Sequence, residues 1–114
     1  MIPLAEMAVN VLKCADGRGK AKLSRGYAAQ WQSARVAGEV PEIGRAEPPM
    51  KPGRPDKPEL LNPRDVPHRK PGTVEGRIAL LHAVAHIELN AIDLHWDIIA
   101  RFPDVEMPIG FYDD

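Results

Sequence analysis

Proline is distributed so unevenly along this chain that it fixes where regular structure can form. Nine of the 12 prolines fall between Pro41 and Pro71. Proline locks φ and has no N–H to donate, so this stretch can be neither a helix nor a central strand. The chain therefore divides into residues 1–38, read as an N-terminal helical hairpin, 39–72, read as a Pro-rich extended arm, and 73–114, read as one long helix with a tail. Only the outer two parts can build a core. Together they hold about 80 residues, close to the size at which one hydrophobic core is only marginally sufficient. Three readings of the arm stay open. It is a solvated linker, or an ordered arm in polyproline II form anchored by Leu60, Leu61 and Val66, or a basic arm that touches phosphate. Asp56, Glu59 and Asp65 weigh against the last.

Fifteen Lys+Arg against 16 Asp+Glu give a formal charge of −1. That balance removes the simplest argument for a nucleic-acid or anionic-membrane partner, so neither is expected. No apolar run approaches the ~20 residues of a membrane span, and the N-terminus lacks the basic region of a signal peptide. Cys14 is the single cysteine. It cannot close an internal disulfide, which makes a reduced, cytoplasmic setting the default expectation. Cys14 itself reads as a packed thiol.

Apolar periodicity predicts three helices. Over residues 4–15, Leu4, Met7, Ala8, Val11, Leu12 and Ala15 form one stripe. Over 20–37, Leu23, Tyr27, Trp31 and Ala34 form another, with Gly38 to end it. Trp31 and Trp96 read as core anchors. The third helix spans 73–102, about 28 residues and roughly 42 Å. Thr73 is its N-cap, Glu75 suits the dipole of its first turn, and Pro103 stops it. Residues 104–114 read as a loop. A helix of this length with a broad apolar face belongs to a bundle.

The chemistry concentrates on that helix. On a wheel with Glu88 at zero, Leu81 and Ile99 fall at about +20°, Ile92 at about +40°, Val84 at about −40° and Ala91 at about −60°. Glu88 thus lies in the middle of an apolar stripe expected to face the core, with His95 and Arg77 at about −20° on the same line. A buried carboxylate must be neutralised, paired or metal-bound. A structural ion pair, a metal ligand or catalytic acid, and an exposed oligomer surface all remain open for it. His82, His86, Asn90, Asp93 and Asp97 lie on the opposite, polar side. His82 and His86, four residues apart, can share a divalent metal. A solvated polar face is the plainer reading. There is no CxxC, no glycine-rich phosphate loop and no nucleophile elbow.

The run LLHAVAHIELNAIDLHWDIIARF, then FYDD, resembles an uncharacterised bacterial family of the ferritin-like superfamily. The spacing from Ala8 to Ser24 and the arm RPDKPELLNPRDVPHRK are similar to it as well. The resemblance implies an all-α, ferritin-like helical bundle with a di-iron carboxylate site. Such sites take a lone Glu from each of two helices and Glu-x-x-His from each of the other two. Glu88 has Ala91 three residues on, so it matches a lone-Glu helix. It is the first candidate metal ligand, with His86 and His82 after it. Members of that family continue beyond this region into further helices, one of them expected to carry Glu-x-x-His. The chain therefore reads as an N-terminal fragment whose bundle is incomplete. It would be completed by partner helices or a homo-oligomer, and iron is expected only in the complete protein. Oxygen-dependent oxidation or hydroxylation follows as the implied activity, with a distant similarity to tRNA-modifying hydroxylases. The rival reading is a non-catalytic helical scaffold with Glu88 in a structural ion pair.

Overall fold

The structure, a computed structural model, describes residues 1–56, 70 and 72–114. Four helices follow in order: α1 (Leu4–Lys13), α2 (Gly17–Val36), α3 (Val74–Arg101) and α4 (Ile109–Asp113). No strand occurs among the described residues, so the protein is all-α. No helix among them is long and apolar enough to cross a membrane. Leu60, Leu61 and Val66 lie outside the described residues.

The predicted stripe of α1 is buried from Leu4 to Leu12, while Ala15 lies past the end of the helix and is exposed; Ala5 and Val9 on its other sides are buried too. The reason is the arm. Pro3 gives α1 no side-chain cap. Instead the first free N–H groups of the helix, from Leu4 and Ala5, donate to the carbonyls of Glu42 and Ile43 at 3.0 and 2.8 Å. At the far end Gly53 N–H donates to Leu12 O at 2.6 Å. The arm thus satisfies backbone groups at both ends of a helix that is only ten residues long. Ile43 and Ala46 pack on the core along the way. A side chain at Gly53 could not be fitted, since a Cβ there would sit 2.5 Å from Lys13 O.

α2 begins at Gly17 rather than at Lys20 because Asp16 Oδ2 accepts from Gly19 N–H at 2.9 Å, a side-chain cap that recruits the glycines into the first turn. It ends as expected at Gly38, whose φ is 81°. There Glu39 N–H donates to Ala34 O and Gly38 N–H to Arg35 O, a Schellman arrangement. Trp31 and Ala34 are buried, with Leu23 and Tyr27 packed beside them.

Thr73 Oγ1 caps α3 by accepting from Gly76 N–H at 3.0 Å. The helix meets α1 and α2 mainly through its C-terminal half, where Trp96 and Ala100 are buried. Trp96 Nε1 donates to Ser24 Oγ at 2.8 Å, and its ring meets Tyr27 edge-on at 6.4 Å.

The tail is not all loop. Ile109–Asp113 forms a short helix, which periodicity cannot announce in five residues. Tertiary contacts hold it in place. Trp31 Nε1 and Arg35 Nε donate to Asp113 Oδ1 at 2.8 and 2.9 Å, and the Tyr112 ring lies 6.1 Å from that of Trp31. The Arg35 guanidinium, with the Trp31 N–H, holds the Asp113 carboxyl below its ordinary range.

Candidate functional site: two faces of the long helix

α3 docks with a different side from the one its apolar stripe suggests. Its buried residues are Gly76, Asp93, Trp96 and Ala100. The last three lie at about 80° to about 140° on the wheel, roughly a quarter turn or more from Glu88. Asp93 was expected on the solvated polar side. It is instead in the core, because α2 brings a cation to meet it. Lys20, fully buried, continues the stripe of Leu23, Tyr27 and Trp31 one turn toward the N-terminus of α2.

The Lys20 ammonium donates to Asp93 Oδ1 at 2.5 Å and to Gly53 O at 2.9 Å. Arg54 Nη2 lies 3.3 Å from Asp93 Oδ2, while Arg54 Nη1 is buried without a hydrogen-bond partner among the described residues. One carboxylate on α3 therefore gathers a cation from α2 and another from the arm. Two positive charges face one negative charge. This is a structural tie that fixes α3, α2 and the arm to each other.

The other face is bare. Glu88 is exposed, and so are Leu81 and Val84 around it. The expectation that the Glu88 stripe faces the core of these helices holds in part for Ile92 and Ile99, which are half-buried against that core, and is corrected for Glu88, Leu81 and Val84: α3 docks through Trp96, which buries a larger surface than any aliphatic of the stripe. His82 is exposed and His86 half-buried, both on the flank nearer to α1 and α2. Glu88 points away from both by roughly 120° or more on an ideal helix. No π-type turn bridges the gap, since α3 is α-helical throughout. Among the described residues no three His, Cys, Asp or Glu side chains converge on a point that could hold a metal ion. The described part of this chain therefore does not by itself form a complete metal site around Glu88, His86 and His82.

Lys20, Arg54, Asp93 and Asp113 went unnoticed in the sequence as interacting groups. A signal existed for two of them. Lys20 lies on the stripe of Trp31, and Asp93 stands three residues before Trp96 and seven before Ala100. Opposite charges each in line with a buried tryptophan are candidates for a buried pair.

Fold and site together define an all-α module that ties a short hairpin and an extended arm to one side of a long helix. Residues 13–114 match the family model described as "Protein of unknown function (DUF455)", and the chain belongs to that family. It is similar to a protein of Haemophilus influenzae named only "Uncharacterized protein", with 56% identity over 48 residues. The matched stretch is 42% of this chain and 17% of that relative, so the chain spans a small part of the curated relative it matches. No solved structure matches it.

Proposed function

We propose that the chain supplies one helical wall of a ferritin-like bundle in a family-length protein, with Glu88 as a carboxylate ligand of an iron pair inside that bundle. The observation that carries this reading is the bare apolar face of α3 with an exposed carboxylate along its edge. Exposed aliphatic surface of this extent calls for a cover. Once covered, Glu88 can remain charged only beside a cation. It lies between the bare seam of α3 and the face that docks on α1 and α2, the direction in which a bundle interior would open. His86 and His82 are secondary candidates and would need a partner approaching from their own flank.

An iron pair would supply oxygen activation, consistent with an oxidase or hydroxylase. The parts played by this chain are simpler. Glu88 would hold the metal. Leu81, Val84 and Ala91 would exclude water around it. The Lys20–Asp93 tie would keep α3 from sliding against its supports.

The test is iron analysis of a family-length protein containing this segment, compared with its Glu88→Ala variant. At least a halving of iron per chain, with unchanged helical content, supports the reading. Unchanged iron would overturn it. No iron in either protein, with loss of stability in Glu88→Ala, would favour the scaffold in which Glu88 forms a structural ion pair.

A further inference from the structure

The bare side of α3 has an internal order. Leu80, Val84, Ile87, Ala91, Leu94 and Ile98 recur at alternating steps of four and three. Five of these six are large and between 46% and 66% exposed. An alternating four–three repeat is the signature of one helix lying along another with knobs in holes, at a crossing angle of about 20°. A surface that bound a loop or a crossing helix would need only a short cluster. This seam runs for about 27 Å at about 1.5 Å per residue.

Charge marks both ends. Arg77 stands three residues before Leu80 and Arg101 three after Ile98, so each continues the seam in register. Both are exposed. Arg101 keeps Asp97 as a neighbour at 2.7 Å. Arg77 is in no ion pair among the described residues. These arginines also argue against a second copy as the occupant. An antiparallel pairing that matches Leu80 with Ile98, Val84 with Leu94 and Ile87 with Ala91 sets Arg77 against Arg101 at both ends. It also brings the two Glu88 carboxylates side by side. A parallel pairing sets Arg77 against Arg77.

Resting on the reading of α3 as a bundle wall, we propose that this seam docks one long helix. The partner runs almost alongside α3, carries its own four–three aliphatic repeat, and bears an acidic residue near each end opposite Arg77 and Arg101. The Haemophilus relative has several times more chain than the matched stretch, ample for such a helix.

The probe is a synthetic helical peptide long enough to lie from Arg77 to Arg101, with leucine at each seam position and glutamate at both ends. Its twin has lysine at both ends. Binding to the whole 114-residue chain is measured by fluorescence anisotropy in EDTA, so the outcome does not depend on iron. The glutamate peptide is expected to bind at least fivefold more tightly than the lysine peptide, with the gap closing as salt screens the end charges. Ile87→Lys and Leu94→Lys are expected to weaken it at least tenfold. Ile78→Lys, at an exposed apolar site outside the seam, is expected to change it less than twofold, and circular dichroism checks that each variant folds. Equal loss in all three variants, or equal binding of the two peptides, would overturn the proposal. So would a reversible dimer in sedimentation that Ile87→Lys abolishes, which would assign the seam to a second copy.

Discussion

Along one side of α3, Asp93, Trp96 and Ala100 are buried against α1 and α2, while along the other Leu80, Val84, Ile87, Leu94 and Ile98 stand exposed. The side inside carries a carboxylate, that of Asp93. Burial on this helix follows partners rather than polarity. A tryptophan with a hydroxyl for its N–H, and an acid with a lysine for its charge, dock more firmly than aliphatics that have nothing to meet. The bare side is apolar without being a core. A long helix of this kind carries apolar residues on more than one side, which is how a helix reads when it is built to be covered on more than one side.

The largest expected effect tests the buried side. Asp93→Ala leaves the Lys20 ammonium in the core with only the Gly53 carbonyl, and breaking a buried pair in this way costs about 3–5 kcal/mol. Chemical denaturation should register that loss. The double variant Lys20→Met/Asp93→Leu should recover most of it, because an apolar pair replaces the ions and Arg54 can turn toward solvent. A double variant no better than the single would mean that the charges, and not mere filling, hold α3 in place.

Much of this was legible beforehand. The three longer helices, the caps at Thr73 and Gly38 and the core role of both tryptophans follow from local chemistry. The orientation of α3 does not, because its two sides compete and the outcome depends on Lys20, 73 residues away in the chain. The tail helix is invisible for a similar reason. Its five residues are held by Trp31 and Arg35, not by their own propensity. For the arm, composition could exclude regular structure in 39–56, yet it could not say that backbone groups at both ends of α1 would find their partners there.

The arm gives the next test. Gly53→Ala would press a methyl against the Lys13 carbonyl. The strain should cost about 1–3 kcal/mol, as overpacking does, and loosen the strap that feeds Gly53 O to Lys20. Limited proteolysis should then cut faster near residue 53. A cutting rate equal to the parent's would show that the arm yields without releasing Lys20, and that the buried side rests on Asp93 and Trp96 alone.

A smaller effect is expected from pH. Arg35 and Trp31 hold the Asp113 carboxyl below its ordinary 3.8. A depressed native pKa adds stability above the unfolded value and loses it as pH falls through the lower native one. Thermal unfolding followed downward from about pH 5 should show this decline, and Asp113→Asn should flatten it. An identical slope in the variant would detach α4 from the stability of the hairpin.

The smallest effect belongs to the bare side, and its smallness is informative. Ile87→Lys replaces a large apolar side chain on a long helix, a change that in a core would be ruinous. Here Ile87 touches water already, so the stability of the 114-residue chain should move by less than about 0.5 kcal/mol, as at ordinary surface sites. Lysine is also a good helix former, and that offsets part of any lost packing. Urea unfolding of this variant beside Asp93→Ala sets the two faces on one scale. A cost as large as that of Asp93→Ala would mean that the seam is already occupied in solution by a second copy, and the contrast between the two faces would disappear.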